Sequence, residues 1–340
     1  MSRVHDVQGS LGIGILGTGH ISTQFALALR DSGSQVVHIA AVASRDGARA
    51  AALARLCEAP RSYADYATML ADDRVEAVYI GLPNSLHAEW AVRAAAAGRH
   101  VLCEKPLAQS LAEAGRMVEA CERHGVLLVE AFPYQFQPQT IETCRRVAAG
   151  EIGTVRVLQA TTGFPLVVAD NIRFQPEMGG GALLDVGCYC VSLARLVFER
   201  QPRSARAQRA VGPSGVDLTT VATLEYDDAY AQLACSVATA PHRNAFLIGS
   251  DGALQTSFSN NTVPDTAVLR IKHGVAWDAT FQSLSVPAGN GFVLEAEAFA
   301  RAVAAGDSAV RYSFHRHCLD NAATLAAIAA SMRTGQPVAV

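Results

Sequence analysis

The 340-residue chain has almost no lysine: of its 28 basic residues only Lys105 and Lys272 are lysines, and the other 26 are arginines. Arginine holds its proton at any working pH and lysine can release it, so a proton-exchanging cation is confined to those two positions. Charge of one sign is missing too. A net charge of −3 gives no electrostatic reason to expect nucleic acid or an anionic membrane as partner. No uninterrupted run of about 18 apolar residues occurs, so no transmembrane helix is expected. Residues 1–10 are polar and lack the apolar core of a signal peptide, which argues against secretion. The eight cysteines form no CxxC pair and no zinc-like spacing, which points to a reduced, cytoplasmic protein. Cys188 and Cys190 read as core packing. His315-Arg316-His317-Cys318 offers at most one i, i+3 pair on a helix, and reads as structural or solvated rather than metal-binding.

What is present is apolar and regular. Half the residues are hydrophobic and 17% are charged, which excludes disorder. At roughly 150 residues per domain the length suggests about two domains. In the first third, short apolar runs (12–16, 38–43, 77–82, 100–103 and 126–131) alternate with helix-length segments (21–31, 46–57, 86–97 and 110–124). Strand and helix taking turns, with strands apolar throughout, predicts βαβ units and a parallel sheet buried on both faces. After residue 131 the pattern changes. Helices are expected over 138–149 and 183–198, the second led in by Gly179-Gly180-Gly181. Strands are expected over 154–163, 218–226, 230–237, 246–249 and 268–271, and closing helices over 293–305 and 315–334. The predicted fold is an α/β Rossmann nucleotide-binding domain over 1–131, followed over 132–340 by an α+β domain with a large, mainly antiparallel open sheet. The last helix is a candidate to pack back on the first domain.

Gly17-Thr18-Gly19-His20-Ile21-Ser22 follows the first strand and opens the first helix, the context a dinucleotide turn requires. The first glycine allows the tight turn. The second lets backbone approach a pyrophosphate at the helix N-terminus, and Ser22 is small enough for the third place. The second strand ends in Ser44-Arg45-Asp46, without the acid usual for the ribose hydroxyls of NAD. Ser44 and Arg45, with Arg49 four residues on, suit a 2′-phosphate and predict NADP over NAD. Leu82-Pro83-Asn84 ends the third strand at the same crevice; His87 either touches the cofactor or begins a helix. Glu104-Lys105-Pro106 ends the fourth.

Residues 97–108, reading AGRHVLCEKPLA, resemble the signature of the glucose–fructose oxidoreductase, inositol dehydrogenase and rhizopine-catabolism family, Gfo/Idh/MocA. The glycine turn, Tyr63-Ala64-Asp65-Tyr66, the segment from Leu82 to His87 and the segment from Gly179 to Tyr189 resemble it in the same order, over about residues 11–200. The resemblance implies that Lys105 is catalytic or substrate-binding and that Asp185 is the family's site aspartate. Inositol-dehydrogenase-like members carry histidine four residues later. Tyr189 there is similar to the dihydrodiol dehydrogenase, xylose dehydrogenase and glucose–fructose oxidoreductase branch. The family's Tyr-Arg-x-His-Pro is replaced by Tyr134-Gln135-Phe136-Gln137-Pro138; losing its Arg and His takes away a candidate charged contact to substrate. Asn171-Ile172-Arg173 resembles a family loop in which Arg173 contacts substrate or cofactor, or serves as an ion-pair partner.

Oxidising a secondary alcohol sends hydride to nicotinamide C4 and needs a base for the hydroxyl proton; reduction needs the matching acid. Asp185 and Tyr189 are spaced i, i+4 and can face one pocket. Lys105, in a partly desolvated cleft beside a cationic nicotinamide, is expected to have a lowered pKa. Tyr189 would carry the proton while Lys105 and Asp185 tune it. The expected activity is an NADP-dependent dehydrogenase or reductase of a sugar, polyol or vicinal diol, with NAD as a possible cofactor. Two alternatives stay open: a transhydrogenase with tightly held NADP, and a non-catalytic NADP-sensing regulator. The resemblance further implies a homodimer or homotetramer formed through the open sheet.

Overall fold

The computed structural model describes residues 9–167, 171–262 and 267–340. Residues 1–8, within the stretch read above as lacking a signal peptide, lie outside it. The chain forms two compact units. Met1–Ala108, Ala112–Ala131 and Phe292–Leu319 make the first; Gln109–Leu111, Phe132–Gly291 and Asp320–Val340 make the second. One boundary at residue 131 is therefore too simple. Phe292, Ala296, Phe299 and Ala300 fill the same apolar core as Phe25, Leu127 and Val129, and this burial attaches their segment to the first unit.

The first unit holds six strands: β1 (Leu11–Leu16), β2 (Val37–Ala43), β3 (Ser62–Tyr63), β4 (Ala77–Ile80), β5 (His100–Glu104) and β6 (Leu128–Ala131). They pair in parallel in the order β3-β2-β1-β4-β5-β6. Helices α1 (His20–Ser32), α2 (Gly47–Leu56), α3 (Tyr66–Leu70), α4 (His87–Ala96) and α5 (Leu111–Arg123) alternate with them. Ile13, Ile15, Val78, Ile80 and Leu102 have no exposed surface, as a sheet covered on both faces requires. The strand order reverses between β1 and β4, and a doubly wound sheet opens its ligand crevice at the carboxyl ends flanking that reversal. Gly17, Leu82 and Lys105 follow β1, β4 and β5 on that edge.

The second unit begins with α6 (Pro138–Ala148), β7 (Val155–Pro165) and α7 (Cys188–Phe198). Strands β8 (Ser204–Val211), β9 (Asp217–Glu225), β10 (Tyr230–Ser236), β11 (Ala238–Gly249), β12 (Gly252–Thr256), β13 (Asn261–Thr262), β14 (Leu269–His273), β15 (Gln282–Ser283) and β16 (Gly289–Asn290) follow. Helices α8 (Gly291–Ala305) and α9 (Ser308–Thr334) and strand β17 (Val338–Ala339) close the chain. Nine strands form one sheet in the order β15-β14-β12-β11-β7-β10-β9-β8-β17, antiparallel except for the parallel pair β7 and β10. Its inner face presents Leu158, Leu224, Leu247 and Leu254 to a core shared with Leu193, Val197 and Ile328.

Two features depart from expectation. The segment expected as one helix over 183–198 opens with a π-helical turn, Leu183–Gly187, before α7. The stretch Pro176–Phe198 is also long and apolar enough to cross a membrane by length and composition, but it is mostly buried as core. Lys272 pairs with Ala253 of β12, while β15 covers only Arg270 and Ile271 of its strand. The residue is half-buried, with its Nζ 6.0 Å from the Phe281 ring centroid.

Candidate active site

The first unit builds a nucleotide cradle. Gly17 has φ +97°, and a Cβ there would meet Leu82 Cδ2 at 2.9 Å and the Gly81 carbonyl oxygen at 3.0 Å, so only glycine fits. At Gly19 a Cβ would find nothing nearer than 3.9 Å, which leaves open space over the turn. Gly19 begins α1 without any side-chain cap, so the first N–H groups of the helix, from His20 and Ile21 onward, are open to an anion. Ser22 Oγ donates to the Gly81 carbonyl at 3.3 Å, and only glycine at 81 leaves room for that approach.

At the ribose end, Asp46 caps α2, its Oδ1 accepting from Ala48 N–H at 2.9 Å and Arg49 N–H at 3.2 Å. Ser44 Oγ accepts from Asp46 N–H at 3.2 Å and lies 3.4 Å from Thr18 Oγ1. Arg49 donates to the Thr18 carbonyl at 3.1 Å, which brings it to the glycine turn, and Arg45 is exposed just ahead of the cap. These hydroxyls and guanidinium groups fit a 2′-phosphate.

Leu82 and Pro83 lead into a 3₁₀ turn, Asn84–Leu86, and α4 starts at His87. The fully buried His87 ring has Nδ1 2.9 Å from the Pro106 carbonyl oxygen and Nε2 2.9 Å from that of Leu82. With both nitrogens so placed, His87 ties two strand-end loops together. Burial lowers its pKa, with the neighbouring carbonyls opposing. Glu104 is also buried: Oε1 accepts from Tyr79 Oη at 2.6 Å and Oε2 from Lys105 N–H at 3.2 Å. Its geometry is that of a residue positioning the backbone of Lys105. Glu130 Oε1 accepts from Leu107 N–H just beyond, and the Lys105–Pro106 peptide is cis.

The second unit carries the phenol. Gly181, at φ +110°, would place a Cβ 2.1 Å from Asp217 Oδ1, and its N–H donates to the Arg173 carbonyl. Asp217 Oδ2 accepts from Leu183 N–H at 2.8 Å and so caps the π turn. On that turn Asp185 accepts from Arg173 Nε at 2.7 Å; Asp185 is nearly buried and Arg173 half-exposed. Of the two readings of Arg173, the structure supports the ion-pair partner. Tyr189 follows on α7, 4% exposed, its ring edge-on to Phe132 at 5.3 Å and tilted against Tyr134 at 5.9 Å. Its Oη accepts from Asn260 Nδ2 at 3.0 Å, and the Arg243 guanidinium lies 4.0 Å from its ring centroid.

Sequence reasoning missed Arg243 and Asn260. For Arg243 a signal existed, since it shares strand parity with the buried Ala245 and Leu247 and so enters the core register. The glutamines that replace the family's charged pair are wired in as well. Gln135 donates to Ser192 Oγ at 2.7 Å, and the buried Gln137 donates to the Asn260 and Gly289 carbonyls. Among the described residues no group of three or more His, Cys, Asp or Glu side chains is placed to hold a metal ion. His315 Nε2 instead accepts from Leu128 N–H, and Cys318 is buried.

Comparison with known proteins agrees with this construction. Residues 11–132 match the model of the oxidoreductase family with an NAD-binding Rossmann fold, and residues 141–255 match that of the GFO/IDH/MocA C-terminal domain. The D-xylose 1-dehydrogenase (NADP(+)) 2 of Haloferax volcanii is 38% identical over 297 residues, covering 87% of this chain and 90% of that protein. The trans-1,2-dihydrobenzene-1,2-diol dehydrogenase of Danio rerio is 33% identical over 71% of this chain and 73% of its own length. A 3-ketoreductase from Actinomadura kijaniata, solved with NADP and TDP-benzene, superposes with a TM-score of 0.85 at 30% identity, covering 95% of this chain and 98% of that one. With two consecutive domain models and relatives along most of its length, the chain belongs to the Gfo/Idh/MocA family of oxidoreductases.

Proposed function

We propose that the enzyme moves hydride between NADP and a secondary alcohol or ketone of a sugar, polyol or vicinal diol, with Tyr189 carrying the accompanying proton. The buried phenol of Tyr189, held at its hydroxyl by Asn260, is the observation that carries this reading. NADP supplies the hydride acceptor or donor at nicotinamide C4. Gly17, Thr18, Gly19, His20 and Ile21 offer backbone to its pyrophosphate. Ser44, Arg45 and Arg49 hold the 2′-phosphate, and Leu82, Pro83 and Asn84 border the nucleotide.

In oxidation Tyr189 takes the substrate hydroxyl proton, and in reduction it returns it. Lys105 acts in the same proton transfer, and Glu104 positions its backbone. Asp185 is a positioning residue: its carboxylate is engaged by the Arg173 guanidinium. A pair of adjacent oxygen-bearing carbons is common to D-xylose and trans-1,2-dihydrobenzene-1,2-diol, the compounds named for two relatives. That shared feature supports a vicinal diol here.

The outer face of the nine-stranded sheet carries a shallow concavity of about 890 Å³, lined by Gln159, Arg206, Thr223, Gln232, Asn244 and Phe246 among others. This mixed polar and apolar face supports a homodimer or homotetramer formed through the sheet. Eight free cysteines, seven of them buried, support a reducing, cytoplasmic location. The testing experiment is turnover with NADP and with NAD against sugars, sugar phosphates, dihydrodiols and their keto forms. NADP-linked turnover of at least one diol or sugar is expected. Binding of NADPH without turnover across the panel would overturn the assignment in favour of a regulator.

A further inference from the structure

Arg243 has no carboxylate partner among the described residues. Its hydrogen bonds go to Asn260 Oδ1 (3.0 Å) and Thr162 Oγ1 (3.4 Å), both neutral, and its guanidinium lies on the face of the Tyr189 ring. Asn260 completes a closed path, accepting from Arg243 with its oxygen and donating its N–H to the Tyr189 oxygen. We infer that Arg243 and Asn260 are positioning residues that fix the Tyr189 hydroxyl and favour its ionised form, and so set the pH range in which the phenol exchanges its proton. The inference rests on the reading of Tyr189 as proton carrier.

Both contacts act in the same direction. A cation against the ring face attracts phenolate more strongly than phenol. An N–H donated to the phenolic oxygen also favours the charged acceptor. The support behind the pair is built in. Arg243 enters from β11 in the core register, and the backbone of Asn260 is held at its carbonyl by Gln137. Two residues earlier, buried Phe258 sits at φ +27°, a region that an aromatic residue occupies only when its surroundings enforce it.

Among the described residues of the second unit, Asp185, Tyr134, Cys190, Phe132 and Phe258 beside Tyr189 are paired or uncharged. Asp185, one turn earlier on its own helix, is paired with Arg173. Tyr134 is neutral, because burial pushes its ionisation well above the ordinary phenol value while Ser192 and the charge of Arg243 pull the other way. The Cys190 thiol, next on the helix, is pushed up to about 12 by burial. Phe132 and Phe258 carry no charge.

The test is an ultraviolet difference titration of tyrosinate, taken as each protein minus its counterpart carrying Tyr189→Phe, with NADP bound and no substrate added. Arg243→Gln is expected to raise the Tyr189 midpoint by about one pH unit or more, a tenfold change in the ionisation constant. Asn260→Asp should raise it as well, by setting a carboxylate against the phenol, and Arg243→Lys should fall between wild type and Arg243→Gln. If Arg243→Gln does not fold, the other two variants decide. An unchanged midpoint in the folded variants overturns the inference. High turnover surviving Tyr189→Phe would instead overturn the proton-carrier reading, while the titration still reports what Arg243 and Asn260 do to the phenol.

Discussion

At the nucleotide edge Asp46 caps α2, its Oδ1 accepting two N–H groups, and Arg45 and Arg49 are exposed beside it. A hydrogen bond to a charged group contributes about 1.5–3 kcal/mol. Arg45→Ala together with Arg49→Ala should therefore raise the KM for NADP at least ~10-fold and leave that for NAD nearly unchanged. Equal effects on both nucleotides in steady-state kinetics would remove the 2′-phosphate role. His87 gives a second prediction at this scale. Its folded pKa lies below the ordinary 6.5, so the unfolded chain binds the extra proton, and the stability His87 contributes is present above pH 6.5 and is lost as pH falls below that value to the folded pKa. Replacing it by Asn should flatten the slope of urea-unfolding free energy against pH below 6.5, although His100 and His315, also lowered by burial, retain part of it. An unaltered slope would mean that His87 binds its proton equally well in the folded and the unfolded chain. The shortage of lysine flags two positions, and of these Lys105 directly follows β5 at the nucleotide edge. Its companion Lys272 rests near the Phe281 ring and has no part in this chemistry.

Among the elements, the glycine run and the π turn carry the second unit's share of the site. Gly181→Ala would bring a Cβ against Asp217 and force φ +110° on a residue that resists it. A loss of roughly 2 kcal/mol or more is expected in urea unfolding, together with weakened turnover, because the Arg173 loop hangs from the same N–H. A variant as stable as wild type would show that the turn relaxes freely. The βαβ third was readable because its strands are apolar throughout and its helices end at glycines. Strand β8 was not, because its inward residues are Ala205 and Ala207, too small to stand out from the neighbouring alanines. The nucleotide turn was legible because all its parts are consecutive. The surroundings of Tyr189 were not, since Asn260 lies 71 residues further along the chain and meets it only through folding.

For the whole molecule, the unpartnered outer face of the large sheet should bury against a second copy. Sedimentation is expected to give a dimer or tetramer, and Phe246→Asp with Gln232→Glu should shift it toward the monomer by placing like charges across the contact. A wild-type monomer at micromolar concentration would contradict that assembly. The account as a whole turns on proton transfer through one phenol. The most direct measurement is NADP-linked turnover of wild type and of Tyr189→Phe on the same sugar or diol, with Lys105→Ala and the double variant completing a cycle. Each single change should lower turnover at least ~100-fold, and the double change should cost little more than either alone, as residues acting in one step do. Near-normal turnover in Tyr189→Phe would contradict the account.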